Sequence, residues 1–254
     1  MEKNISDQQL RYTITDLIIG CEPEHLSDIL DKALENASLS QLISINQALA
    51  EPTTLSFLIK QLLHNPVIFK RMVRKSYYHE NGFHKIVLLS GKNFKLRLHH
   101  FGAAARIPME NIHDHRWPFA SAILSGELKM DIFRVSPMPA NAEELYHFVY
   151  SSDKSTGSYS TELKGKAFLE RTESRVYTPG ESYLMRTEEL HRIRNTQGEE
   201  SITLILTGKP VSNQCNLYSK RPILEEEKKT VAYDPDDMAW MLGNLLEKIH
   251  PQLN

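Results

Sequence analysis

Two histidines separated by one residue, His113 and His115, have a spacing that suggests metal chemistry. In a β-strand, residues i and i+2 point to the same face, with Cα atoms about 6.5 Å apart. Two imidazoles placed in this way can converge on one ion at nitrogen–metal distances of about 2 Å. Asp114 lies between them and points to the other face, which makes it a poor ligand. By itself the pair is also compatible with two polar residues at a strand end.

A third histidine strengthens the metal interpretation. His191 begins the short segment HRIRN, which follows a turn at Pro179-Gly180. Strands that are distant in sequence lie side by side in a β-barrel, so His191 can complete a set of three nitrogen ligands. Imidazole suits iron, zinc, nickel and copper alike, and these residues therefore do not identify the metal.

The patterns around the histidines predict the elements that must position them. The first 75 or so residues have apolar side chains at helical spacing. From Tyr77 to about Gly208, short strand-like segments are separated by Gly, Pro, Asn or Ser, which is typical of a sandwich or barrel. The segment PDDMAWMLGNLLEKI predicts a closing helix. We expect a helical portion over 1–76 packed on the barrel, a β-barrel over 77–210, and a C-terminal extension with a helix over 211–254.

Composition excludes several classes of protein. The 254 residues carry a formal net charge of −2, with 41% hydrophobic and 24% charged residues, and no basic block points to nucleic acid. No apolar run approaches the roughly 18 residues that a membrane span needs, and the N-terminus lacks a signal-peptide pattern. Two cysteines, Cys21 and Cys215, suit a reducing compartment. We expect a cytoplasmic protein that binds neither nucleic acid nor membrane, and homodimer formation stays open.

The two histidine-bearing segments resemble the two motifs of the cupin superfamily. HDHRWPFASAILSG has Gly126 in the expected place, and PGESYLMRTEELHRIRN has His191 and Asn195 in theirs, although its spacing from Gly180 to His191 is longer than in the short form. The resemblance covers about Phe83 to Gly208. It implies a mainly β fold, the cupin-type double-stranded β-helix or RmlC-like jelly-roll barrel, here with an N-terminal helical portion and a C-terminal helix.

Within that superfamily, the local match is to the cysteine dioxygenase-like proteins, which are three-histidine thiol dioxygenases. The shared features are IHDH, the segment Gly126 to Lys129, and LHR ahead of Asn195. The resemblance implies iron(II) held by His113, His115 and His191. The carboxylate of the common cupin motif would fall at Phe119 or Ala120, and neither can supply one. A neutral three-nitrogen site leaves the 2+ charge uncompensated, which favours an anionic substrate.

Other positions depart from the cysteine dioxygenase pattern. The arginine that binds the substrate carboxylate in that group falls at His84. Its Ser-His-Tyr relay falls on a segment that instead carries Thr203, Ile205 and Thr207. These departures argue for a substrate other than cysteine.

Further candidates depend on which face of each strand is inward. On FKLRLHHF, either Phe94, Leu96, Leu98 and His100 or Lys95, Arg97 and His99 face the interior. We favour the apolar set, with His100 at the barrel mouth as a catalytic candidate; the other phase would let Arg97 bind an anionic substrate. The remaining candidates are Tyr183 for catalysis, Trp117, Phe119, Arg192 and His84 for substrate binding, and Asn195 as a support for the metal ligands.

Three functions are compatible with these residues. The favoured one is a non-haem iron(II) dioxygenase that uses dioxygen and a small thiol or anionic substrate. The second is a lyase or isomerase with zinc or nickel as Lewis acid and Tyr183 or Glu181 as base. The third is a binding module without chemistry.

Overall fold

The computed structural model describes residues 7–79, 81–102, 110–137, 142–152, 159–194, 199–222 and 233–249. Five helices precede the strands and one follows them: α1 (Asp7–Gly20), α2 (Pro23–Leu34), α3 (Leu39–Ala50), α4 (Pro52–His64), α5 (Pro66–Lys75) and α6 (Pro235–Ile249). Local signals define their starts. Ser38 caps α3 with a reciprocal Ser–Gln capping box, and prolines occupy the first turns of α2, α4 and α5.

Twelve strands are described between α5 and α6. They are β1 (Tyr77–His79), β2 (Phe83–Ser90), β3 (Lys95–Phe101), β4 (Ile112–His113), β5 (Phe119–Ser125), β6 (Leu128–Val135), β7 (Glu143–Ser152), β8 (Tyr159–Tyr177), β9 (Ser182–Met185), β10 (Leu190–Arg194), β11 (Ser201–Thr207) and β12 (Gln214–Ser219). Strands β2 and β3 pair as a hairpin whose turn contains Gly91 and Asn93.

The strands form two antiparallel sheets. The first has the order β1-β2-β3-β11-β5-β9, and the second closes on itself in the order β10-β4-β12-β7-β8-β6. The pairings β3–β11, β4–β10, β5–β9 and β6–β8 are those of one long hairpin rolled on itself, which is the topology of a jelly roll. The predicted fold class is therefore confirmed: the protein is mainly β, with helices at both ends.

The C-terminal segment contributes more than a helix. Strand β12 follows residue 210, where we expected the barrel to end, and it pairs with both β4 and β7. It closes the second sheet next to the strand that carries His113.

Three apolar clusters define the faces of the sheets. The first joins the helices to one face of the first sheet and includes Leu96 and Leu98. The second lies between the sheets and includes Phe101 and Ile205. The third lies on the other face of the second sheet and includes Ile112 and Leu190. Side chains alternate along a strand, so these clusters fix which residues face the space between the sheets.

This arrangement contradicts the favoured prediction for β3, in which its apolar residues and His100 face the barrel interior. Its apolar residues Leu96 and Leu98 are fully buried against the helices, whereas Arg97 points into the space between the sheets. The physical reason is that the amphipathic helices need an apolar partner, and the apolar face of the first sheet supplies it. A buried hydrogen bond adds to this contact, since Asn46 Nδ2 of α3 donates to the Leu204 carbonyl at 3.1 Å. None of the described helices is long and apolar enough to cross a membrane.

Gly126 forms the turn between β5 and β6 for a steric reason. Its φ is +70°, and a Cβ at this position would lie 1.9 Å from the carbonyl oxygen of Glu200. Glycine alone accommodates both the left-handed backbone and the close approach of the neighbouring chain. The motif glycine therefore fixes the geometry of a turn.

We predict that Gly126→Ala lowers the free energy of unfolding by at least about 2 kcal/mol, because left-handed strain adds to a backbone clash. Gly243→Ala is the matched control: Gly243 lies within α6, a Cβ there meets no atom within 4 Å, and we expect a gain of up to about 1 kcal/mol. Urea denaturation of both variants measures these changes. Equal stabilities for the two variants would contradict the steric explanation.

Candidate metal centre

Two short strands bring His113 and His191 face to face. His191 of β10 is the direct antiparallel partner of His113 of β4. His115 follows just beyond the end of β4, where its backbone N–H donates to the Thr187 carbonyl at 3.1 Å. The preceding residues Ile112 and Leu190 lie in the cluster on the opposite face of the sheet. All three histidines therefore point into the space between the sheets.

The three imidazoles are close enough to share one ion. One ligand atom from each lies within 4.8 Å of the others, and the ring centroids are 4.7 to 5.0 Å apart. His115 Nε2 lies 3.5 Å from His191 Nε2. Two nitrogens bound to one ion at about 2.1 Å are about 3.0–3.4 Å apart at tetrahedral or octahedral angles. Small side-chain rotations would thus complete the coordination.

Hydrogen bonds orient two of the rings. His113 Nδ1 donates to the Asn111 carbonyl at 2.9 Å, and His191 Nδ1 donates to the Glu189 carbonyl at 3.3 Å. Each bond leaves the Nε2 lone pair of its ring for a ligand. Donation of the second ring nitrogen to a carbonyl is the usual support of a metal-binding histidine.

The site keeps His115 and His191 neutral. Burial and, after it, the neighbouring His113 lower the pKa of His191 to about 3. Burial, followed by the charges of His113 and His191, holds the pKa of His115 well below its usual value. Neutral imidazoles have free lone pairs at pH 7, so the cluster is ready to coordinate a metal ion.

The donor set fits a divalent transition metal with open positions. Within the described residues the cluster contains three histidines and no carboxylate or thiol. Phe119, at the position of the expected carboxylate, packs its ring 4.8 Å from that of His115. Three neutral nitrogens suit iron(II), zinc or nickel and leave coordination positions for substrate. These ligands would not offset the 2+ charge of the ion.

The wall opposite the histidines carries a buried arginine. Arg97 is 5% exposed, and its guanidinium stacks 5.3 Å from the Trp117 ring, which itself lies 6.2 Å from the ring of His115. Its Nε and Nη2 atoms are buried without a hydrogen-bond partner among the described residues. Burial lowers its pKa to about 10, so the side chain stays charged at pH 7. A buried charge without a counterion is costly, and an anion beside the guanidinium would offset that cost.

Two further basic residues lie beside Arg97 on the first sheet. The sequence placed His99 on the inward face only in the less favoured phase of β3, and it did not point to Lys85. Lys85 donates from Nζ to the Tyr77 hydroxyl at 2.9 Å, and burial together with Arg97 lowers its pKa well below its usual value. His99 stacks on Phe83, and its Nε2 is buried without a partner in the described structure. Lys85 pairs with His99 across β2 and β3. If it had been known which face of β2 and β3 points inward, both residues would have been identified as lining the space between the sheets.

His84 and His100 lie on the far side of the first sheet from the histidine cluster. Their rings stack at 5.4 Å against the helical layer. His84 Nδ1 lies 2.8 Å from the Tyr233 hydroxyl, and His100 Nε2 donates to Glu200 Oε1, which also binds Lys248 of α6. The structure therefore places the catalytic candidate His100 and the substrate candidate His84 away from the site. The same phase reversal that turns Arg97 inward turns these two residues outward.

Of the remaining candidates, Arg192 lies on the outer face of the second sheet, and Tyr183 of β9 lies between the two sheets. Arg192 points away from His191, where it stacks on Phe133 and lies 3.4 Å from Asp131 Oδ2. Tyr183 is buried between the sheets, with its ring 6.1 Å from that of Phe119. Burial raises the pKa of Tyr183, so the phenol stays protonated. Asn195 lies outside the described residues.

Comparisons with known proteins give only distant similarities. No family model and no curated protein matches the chain. Among solved structures, a hydroquinone 1,2-dioxygenase is 12% identical over 56% of this chain and 72% of its own, with a TM-score of 0.33. The polyketide cyclase of Streptomyces resistomycificus is 12% identical over 59% of this chain and 82% of its own, with a TM-score of 0.33. The DMSP lyase of Ruegeria pomeroyi is 13% identical over 58% of this chain and 54% of its own, with a TM-score of 0.31. At this level of similarity the neighbours do not identify an activity, so the site must be interpreted from its own residues.

We predict that the metal-free protein binds one Co²⁺ ion. His113→Ala and His191→Ala should each weaken this binding by more than about 100-fold, because the loss of a metal ligand reduces affinity more than the loss of a residue that only supports a ligand. Calorimetric titration and the visible Co²⁺ spectrum provide the measurements. His64→Ala is the control, because His64 bonds only its own helix at Lys60. Wild-type affinity in either cluster variant would refute the three-histidine site.

Proposed function

We propose that this protein is a metalloenzyme, a non-haem iron(II) dioxygenase that acts on a small anionic substrate other than cysteine. One observation carries the proposal: a cluster of three histidines shares the space between the sheets with Arg97, whose buried guanidinium has two nitrogens without a partner among the described residues. The histidines can hold a metal. The arginine can bind the charged group of a substrate that reaches the metal.

The histidines His113, His115 and His191 would hold the ion through three nitrogens. Bound iron would supply the electron-transfer chemistry that dioxygen requires, while the protein binds and orients the substrate. Zinc or nickel would satisfy the same ligands without that chemistry. The choice of iron rests on the local sequence resemblance to the three-histidine thiol dioxygenases.

Arg97 would supply the anion-binding group that this chain lacks at His84, where the thiol dioxygenases carry an arginine. In register across the first sheet, Arg97 pairs with Ile205. Packed sheets are separated by about 10 Å, so a molecule between Arg97 and a metal on the opposite sheet must be small. A carboxylate on Arg97 would form charge-assisted hydrogen bonds with Nε and Nη2. Such a substrate would offset part of the positive charge of both the arginine and the ion.

Aromatic residues complete the proposed pocket. Trp117 lies between Arg97 and His115, and Phe119 packs on His115 and His191. These rings would limit the access of water to the ion and strengthen the electrostatic contacts there.

The substrate is proposed to differ from cysteine because the expected relay is missing. Thr203, Ile205 and Thr207 occupy the strand where the thiol dioxygenases carry histidine and tyrosine, and all three are buried. A lyase or isomerase is less well supported. Tyr183 has a raised pKa, and Glu181 uses its carboxylate to accept hydrogen bonds from the Thr178 N–H and hydroxyl. Neither residue is suited to act as a base.

We predict that the iron-loaded protein consumes dioxygen when mercaptoacetate is the substrate. We expect kcat/KM to be at least about tenfold lower for the neutral 2-mercaptoethanol and for the cationic cysteamine. The three thiols have similar reach and differ in charge, and a buried cationic wall repels the cationic one. An oxygen electrode measures the rates. No oxygen uptake with any small anion tested would count against a dioxygenase.

We predict that Arg97→Ala raises KM for mercaptoacetate at least about 30-fold and leaves KM for 2-mercaptoethanol within about twofold, because a lost charged hydrogen-bonded pair costs about 2–5 kcal/mol. Arg186→Ala is the matched control, since Arg186 is exposed. Equal losses with both thiols would show that Arg97 stabilises the fold and does not bind the anion.

A further inference from the structure

We propose that Asp114 and Asn216 are positioning residues that fix His113 and His115 from behind, an inference that rests on the proposed metal site. Asp114 separates the two histidines in sequence, and its side chain points to the other face of the second sheet. Asn216 lies on β12, the strand next to β4. The two side chains together hold the histidine-bearing segment in place.

The segment that carries two of the three ligands has little support of its own. Strand β4 contains only Ile112 and His113, and its pairing with β10 consists of one residue pair. A strand this short cannot fix the direction of its side chains through its ladder alone. Another contact must hold the backbone between the two histidines.

Asp114 and Asn216 provide that contact through three hydrogen bonds. The backbone N–H of Asp114 donates to the Asn216 carbonyl at 3.2 Å. The backbone N–H of Asn216 donates to Asp114 Oδ1 at 2.6 Å, and Asn216 Nδ2 donates to Asp114 Oδ2 at 2.6 Å. Asp114 is 8% exposed. Both carboxylate oxygens are therefore used, and neither is available to a metal.

A third strand fixes the orientation of the asparagine amide. His147 of β7 donates from Nε2 to Asn216 Oδ1 at 2.9 Å, and its ring stacks on Tyr218 at 4.6 Å. Because Oδ1 accepts from His147, Nδ2 is the atom that faces Asp114. The chain from His147 through Asn216 to Asp114 thus ties β7 and β12 to β4. Its last member holds the backbone between the two proposed ligands.

The hydrogen-bond pattern identifies a reciprocal exchange as the sharpest test. Asp114→Asn places two donors against each other, and Asn216→Asp places two carboxylates against each other. The double exchange restores one donor and one acceptor between the side chains, with the Asn216 backbone N–H still facing an oxygen. We expect each single variant, and Asp114→Ala, to raise the Kd for Co²⁺ about 10–100-fold at unchanged stoichiometry. We expect the double exchange to recover most of that loss.

Stability and positioning are separated by a control in the helical layer. Leu58→Ala removes a fully buried side chain far from the metal ligands, so it destabilises the fold without touching the site. Its Kd and Co²⁺ spectrum should stay at wild-type values, whereas the Asp114 variants should shift both in samples that remain folded by circular dichroism. If Asp114→Asn and Asn216→Asp bind Co²⁺ as tightly as wild type, the positioning role is wrong while the metal site stands. A wild-type protein that binds no metal overturns both.

Discussion

The alternation of side chains along β4 and β10 is the constraint on which the rest of the site depends. His113 and His191 are direct partners, so every second residue on either strand projects toward the same space. That pairing sends His113 and His191 inward and Arg192 outward, and Asp114, one residue beyond β4, also lies on the outer face, against Asn216. The outward residues bind other parts of the second sheet, since Asp114 joins β12 and Arg192 pairs with the buried carboxylate of Asp131. One strand pairing thus separates ligands from supports.

In the space between the sheets, Arg97 and its basic neighbours lie on one side and the histidine cluster lies on the other. Arg97, Lys85 and His99 lie on the first sheet, where burial lowers the pKa of each and the charge of Arg97 lowers further those of Lys85 and His99. The histidine cluster lies on the side of the second sheet, where an ion would add two positive charges. Such an arrangement is unfavourable until an anion enters. The anion proposed to bind at Arg97 would offset the stability cost of burying this charge, and functional sites commonly keep polar groups that the fold alone would not retain.

The sequence predicted the fold and the convergence of the three histidines because both depend on periodicity. A spacing of two places His113 and His115 on one face, and alternating short strands with turn residues indicate a barrel. The phase of β3 could not be predicted in the same way. Both faces of that strand are buried, one by helices and one by the opposite sheet, so apolarity does not tell which is the interior. His84 and His100 were misplaced for this reason. For the same reason His99 was assigned to the less favoured phase and Lys85 was overlooked. Arg192 could have been excluded from the sequence, since it follows an inward histidine.

The helical layer explains why the interior can be polar at all. In a barrel without such a layer, the apolar residues of the first sheet would have to face inward to be buried. Here the helices bury Leu96, Leu98, Leu204 and Leu206 on the outer face, together with Met238 and Leu242 of α6. The inner face then does not have to form the main hydrophobic core, and it can carry an arginine, a lysine and a histidine. The N-terminal helices and α6 therefore contribute to the site without touching it: they supply the apolar burial that allows a cationic wall opposite the histidines.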